Sequence, residues 1–154
     1  MKKSTSERRK KPKSSRQIQY AALPYRANGK SQLEIMLVTS RGTRRWIIPK
    51  GWPKRGKSPY DTAAKEAFEE AGVVGKVSQR PIGSYPYDKI LETGDKASCR
   101  VDVFALRVTR QRKRWPEKLE RQVRWYPPAE AARFVRDPHL RRIIRKFTKS
   151  TKLR

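Results

Sequence analysis

The chain has little of what several common protein classes are built on. Of its 154 residues 1 is cysteine and 1 is histidine, and its 14 Asp and Glu face 40 Lys and Arg. Cys99 has no partner in the chain, so no internal disulfide can form, and a reducing, cytoplasmic setting is expected. In a strand-like run it reads as a small packed side chain rather than a nucleophile. His139 is alone too and follows Pro138 at a helix start, which suits a surface or capping role better than a metal site. No run is apolar enough to cross a bilayer, and the first residues lack the apolar centre of a secretory leader. A membrane role is therefore not expected.

Positive charge is what the chain has in excess. A formal net charge of +26 calls for polyanionic company: nucleic acid, phosphorylated small molecules or an anionic surface. Hydrophobic residues make up 35%, low for a globular chain, and the ends account for much of this. Residues 1–16 are Lys, Arg and Ser with almost nothing to bury, and are expected to be a disordered basic tail. Residues 17–148 make one domain, and 149–154 a basic C-terminal tail. After Asp137 no acid remains, while Arg141, Arg142, Arg145, Lys146, Lys149, Lys152 and Arg154 accumulate.

Strands are expected at 17–26 and 33–40, joined by a turn at Asn28-Gly29, with a short extended run at Trp46-Ile47-Ile48. Further strands fall within 73–87 and 98–109, and residues 88–97 read as a polar connection turning at Gly94-Asp95. A second basic loop spans 110–124. Helices are expected from Pro128 to Arg136 and over 140–147, where Leu140, Ile143, Ile144 and Phe147 recur at helical spacing. Strands, helix, strands, helix is an α+β order rather than repeated βαβ units.

Scarce acid is concentrated in one place. Ser58 can cap a helix, Pro59 suits its first position, Asp61 completes a capping box and Gly72 ends it. Ala63, Ala64, Ala67, Phe68 and Ala71 form its apolar stripe. Glu66, Glu69 and Glu70 fall on another arc, since positions i, i+3 and i+4 are surface neighbours. Three carboxylates so placed repel one another unless a cation joins them. Mg²⁺ takes such oxygen ligands, and surrounding bases could grip phosphate oxygens. A glutamate-rich helix face is also common simply because Glu favours helices.

The pattern is longer than the trio, and it resembles the signature of the Nudix hydrolases. Gly51, Glu66, Glu69, Glu70 and Gly72 match without gaps, with Ala67 and Val73 at apolar positions. Two positions depart: Lys57 stands where the family usually has Glu, and Lys65 where it usually has Arg. Around the box, Tyr20–Arg26, Ile35–Val38, Ser40-Arg41 and Trp46-Ile47-Ile48-Pro49 look like the diphosphoinositol polyphosphate phosphohydrolase branch. The loop Pro49-Lys50-Gly51-Trp52-Pro53 is similar to small bacterial members. The resemblance covers most of 17–147.

It implies an α/β/α sandwich around a mixed β-sheet and Mg²⁺ or Mn²⁺ dependence, with Glu66, Glu69 and Glu70 as metal ligands and catalytic residues. Lys65 then takes the place of the arginine that steadies the first metal-binding glutamate, without its bidentate fork. Arg41 matches a phosphate-contacting arginine of that branch, and Arg45, Lys50 and Lys54 lie close enough in the chain to bind substrate with it. Glu117 and Glu120 lie in the second basic loop, where members often keep a further base or metal ligand. Glu120 is the candidate assigned to catalysis, although either could pair with Arg121 or Arg124 instead.

The expected function is metal-dependent hydrolysis of a phosphoanhydride in a polyphosphorylated small molecule, a dinucleoside polyphosphate or a diphosphoinositol polyphosphate. Two alternatives stay open. One is pyrophosphohydrolysis at an RNA 5′ end, with the basic tails holding RNA; the other is a domain that binds nucleotide or RNA without cleaving it. The sequence leaves the oligomeric state open.

Overall fold

The structure is a computed structural model, and it describes residues 17–151. The tail expected at 1–16 lies outside the described residues, as do 152–154. The strands are β1 (Gln17–Ala27), β2 (Leu33–Thr39), β3 (Trp46–Ile47), β4 (Lys50–Gly51), β5 (Val73–Val77), β6 (Gly83–Ile90), β7 (Lys96–Gln111) and β8 (Val123–Tyr126). The helices are α1 (Pro59–Ala71), α2 (Pro128–Phe134) and α3 (Pro138–Ser150).

All the strands join one mixed sheet with the central path β3-β2-β1-β7-β5. β1 and β7 run parallel from Gln17 opposite Cys99 to Tyr25 opposite Arg107. The other pairings are antiparallel: β2 with β1, β3 and β8, β4 with β1, and β5 and β6 with β7.

Neighbouring residues along the inner strands are buried on opposite faces, as the two-residue side-chain period requires. Ala22, Met36, Val38 and Phe104 pack with Ala63, Ala67 and Ala71 of α1. Ala21, Leu23, Ile35 and Leu37 pack with Ala131, Leu140, Ile144 and Phe147 of α2 and α3. Covering both faces makes the α/β/α sandwich, and the small alanines seat α1 close to the sheet.

Two expectations need correction. Residues 88–97 are not a loop: β6 runs to Ile90, β7 starts at Lys96, and Ile90 pairs with Lys96. Only the tip turns, where Leu91 N–H donates to Asp95 O at 2.8 Å and Gly94 adopts φ 91°. The ladder to β7 holds these polar residues extended, and their composition does not reveal that pairing. Secondly, α3 starts at Pro138, where the Asp137 carboxylate accepts from His139 and Leu140 N–H. It continues to Ser150, so Lys149 and Ser150 form its last turn rather than tail.

Candidate active site

Local signals fix the helix that carries the acids. Ser58 Oγ accepts from Asp61 N–H at 3.3 Å and donates to its carboxylate at 2.9 Å. Gly72 closes α1 at φ 72°, its N–H donating to Phe68 O. β4 pairs with Tyr20 and Ala21, which brings Gly51 up against the helix. A Cβ on Gly51 would overlap the Glu66 carboxylate, so a residue without a side chain is what allows this approach. Glu66 and Glu70 are only 7% and 4% exposed, whereas the Glu69 side chain is 25% exposed.

The end of β7 and the stretch after it fold over the C-terminal end of α1. Gln111 Nε2 donates to Ala71 O, Arg112 N–H to Gly72 O and Glu117 N–H to Glu69 O, at 2.8, 2.8 and 3.0 Å. These bonds satisfy carbonyls that a helix end leaves open. The Trp115 ring covers Gly72. Glu117 and Arg121 thereby reach the acidic face. Arg121 Nε donates to Glu117 Oε1 at 2.7 Å and Nη1 to Thr39 O at 3.0 Å, while Nη2 stands 3.9 Å from Glu70 Oε2.

These groups floor a cavity of about 740 Å³, and Gln19, Arg41, Lys50, Lys54, Tyr87 and Lys89 complete much of its lining. Lys54 Nζ is 2.8 Å from Glu66 Oε2 and 4.0 Å from Glu69 Oε1. Lys65 pairs with Glu69 at 3.4 Å. Burial, and then a hydrogen bond shared with Glu66, hold the Glu70 carboxyl well above the usual carboxylate range, although Arg121 opposes the shift. Lys50 lies 4.4 Å from the Tyr87 ring centroid. Burial lowers its ammonium pKa to about 8 despite the opposing pull of Glu70.

Among the described residues no three Asp, Glu, His or Cys side chains are already gathered as a metal cluster. The glutamates face protein cations instead, above all Lys54. The donor set still suits a hard divalent ion, since it offers carboxylate oxygens without sulfur or imidazole. Burial that raises the Glu70 carboxyl disfavours its charged form, and a divalent ion held there would offset that cost.

The structure brings Glu66, Glu69, Glu70, Lys54, Lys50 and Arg41 to one cavity. Lys65 flanks it through Glu69 rather than reaching Glu66; Lys54 occupies that place. Glu120 is not among the cavity-lining residues: its side chain is 46% exposed and pairs with Arg41 at 2.9 Å. Glu117, three residues earlier, does line the cavity. Its spacing to Arg121, one helical turn, was the available signal, but it could not say which way the pair points. Arg45 lines a second cavity of about 800 Å³, which shares Lys50, Tyr87 and Lys89 with the first. Gln19 was not anticipated; it is 3% exposed, its Oε1 lacks a partner, and it lines the acidic cavity.

A mixed sheet between helices, with an acidic helix beneath a basic-rimmed cavity, defines a class that the family match then names. Residues 16–147 match the NUDIX domain, and the chain belongs to that family. It is 30% identical over 120 residues to Nudix hydrolase 12, mitochondrial, of Arabidopsis thaliana, covering 76% of this chain and 59% of the relative. It is 31% identical over 105 residues to diphosphoinositol polyphosphate phosphohydrolase 3-beta of Bos taurus, covering 66% and 60%. The chain thus spans about three fifths of the length of these curated relatives. In fold it is similar to the C. elegans Ap4A hydrolase, with a TM-score of 0.64 at 16% identity over 88% of this chain and 98% of the other. A Nudix hydrolase from Nitrosomonas europaea gives 0.68 at 17% identity over 90% and 92%. No helix among the described residues is long and apolar enough to cross a membrane.

Proposed function

We propose that this protein is a metal-dependent pyrophosphohydrolase that cleaves a phosphoanhydride in a polyphosphorylated small molecule. The observation that carries this reading is the buried pair Glu66 and Glu70 at the floor of a cavity rimmed by Arg41, Lys50, Lys54 and Arg121. A rim of cations suits a phosphate chain, and the acids suit the counter-ion that such a chain brings. Glu66, Glu69 and Glu70 would hold Mg²⁺ or Mn²⁺. When bound, the ion supplies neutralisation of phosphate charge and a more acidic water.

The chain's own groups do the rest. Arg41, Lys50 and Lys54 bind phosphate oxygens from one side of the cavity, while Arg45 serves the adjoining chamber. Lys54 exchanges its contact with Glu66 for one with phosphate as the site fills. Lys65 holds Glu69 in position. Arg121 is anchored on Thr39 O and orients Glu117, which can accept a proton at its carboxylate from an attacking water. Glu120 acts by aiming Arg41.

A diphosphoinositol polyphosphate phosphohydrolase is similar to this chain in sequence and an Ap4A hydrolase in fold, and we extend their substrate types, diphosphoinositol polyphosphates and dinucleoside polyphosphates, to this chain. Lone, buried Cys99 accords with a cytoplasmic setting. The second reading, binding without cleavage, draws on the Lys54 and Lys65 pairs that occupy the acids.

A substrate panel with and without Mg²⁺ tests the proposal. It comprises diadenosine polyphosphates, inositol pyrophosphate, ADP-ribose, nucleoside triphosphates and 5′-triphosphorylated RNA, with phosphate or nucleotide release as the readout. Mg²⁺-dependent release from one of the first two is expected. Release from the RNA alone would move the assignment to RNA 5′ ends, and tight binding without turnover would favour the second reading.

A further inference from the structure

α3 presents a face that the hydrolytic site does not use. Arg142, Arg145, Lys146 and Lys149 are all exposed, and their spacing places them within an arc of about 100° on a helical wheel. Each lies three or four positions from another, so the four repel one another along the helix. Among the described residues no carboxylate stands within ion-pair distance of any of them. Arg141 belongs elsewhere, its guanidinium donating to Ala132 O and Val135 O. The opposite face is committed to the core through Leu140, Ile144 and Phe147.

We infer that this stripe is a docking surface for a nucleic acid, read through its phosphodiester backbone without regard to sequence. From Arg142 to Lys149 the stripe runs about 10 Å along the helix, and its four cations can neutralise about three phosphates. An anionic membrane offers similar charge, but a helix that lies in the interface also sinks an apolar face into lipid. α3 cannot, because its apolar face is buried against the sheet and α2. Its first residues, Pro138 and His139, line the cavity that adjoins the acidic one, so a strand on the stripe is anchored beside the site. The inference does not depend on hydrolysis, and it assigns binding to the folded domain rather than to the termini.

The test uses the full chain and a labelled 5′-hydroxyl RNA of about 20 nucleotides, which carries no phosphate chain for the acidic cavity. Fluorescence anisotropy across a salt series compares the wild type with the fourfold variant R142Q/R145Q/K146Q/K149Q. Glutamine keeps helix propensity, and circular dichroism checks the fold. The variant is expected to bind about tenfold or more weakly, with a log Kd against log salt slope shallower by about 2 to 3. R142K/R145K, which keeps the charge, should bind like wild type. If the fourfold variant retains both affinity and slope, the tails or another surface hold the RNA and the inference is overturned. It is also overturned if the variant loses affinity for phosphatidylserine vesicles while RNA binding is unchanged.

Discussion

α1 and α3 are built alike and use charge in opposite ways. Each has 13 residues, begins with proline after a capping side chain, and lays an apolar stripe against one face of the sheet. The acids of α1 turn toward a cavity, where burial raises the Glu70 carboxyl and Lys54, Lys65 and Arg121 gather around the trio. Arg142, Arg145, Lys146 and Lys149 of α3 turn outward and gather no carboxylate partner among the described residues. Like charges on a helix surface cost little in water; like charges in a cavity distort the protonation of the group that carries them. The difference marks where chemistry can be driven by binding a counter-ion, and where charge serves attachment alone.

The largest expected break in this contrast is Glu69→Gln. Under the proposed function it should lower turnover by about 100-fold or more while leaving circular dichroism unchanged, through loss of metal-assisted water activation. Turnover within a few fold of wild type would remove Glu69 from the site. Gly51→Ala comes next. Its new methyl meets the Glu66 carboxylate rather than backbone, so the thermal midpoint should fall less than the activity does. A carboxylate displaced by about 1 Å can still cost up to about 100-fold in rate. Equal losses of stability and activity would show that Gly51 serves the fold instead.

A smaller effect sharpens the electrostatics. Because burial lowers the Lys50 ammonium to about 8, its positive charge fades as pH rises through that value. KM for an anionic substrate should therefore climb above pH about 8, and Lys50→Arg should flatten the rise. The smallest expected change is in stability. A carboxyl raised on folding keeps its proton when the unfolded chain has lost it, so stability falls as pH rises from the unfolded value near about 4.3 toward the raised one. Metal-free Glu70→Gln should then match wild type in acid and exceed it by about 1–2 kcal/mol near and above neutrality, as read by denaturant melts. A gap that does not change with pH would contradict the buried-carboxyl account.

How much of this was legible in the sequence varies with how local each signal is. α1 could be read to the residue because Ser58, Pro59 and Gly72 act within the helix itself. The sandwich followed from the order of elements and from the family resemblance. The parallel pairing of β1 with β7 was not legible, since strands so far apart in the chain leave no local trace. The polar ends of β6 and β7 looked like loop because their extended form depends on pairing with each other. Glu117 rather than Glu120 lining the cavity goes with Arg121, which holds Glu117 and is tethered to Thr39. That tether closes over more than eighty residues and becomes visible only in three dimensions.

The central claim is that the acidic face of α1 takes up a divalent ion. Calorimetric titration of Mn²⁺ into the wild type, Glu66→Gln and Glu70→Gln at neutral pH measures this without reference to turnover. The account predicts saturable binding to the wild type with proton release, and binding weakened at least about tenfold in both variants. Equal binding by all three proteins, or none by the wild type even with a nonhydrolysable polyphosphate in the cavity, would contradict it.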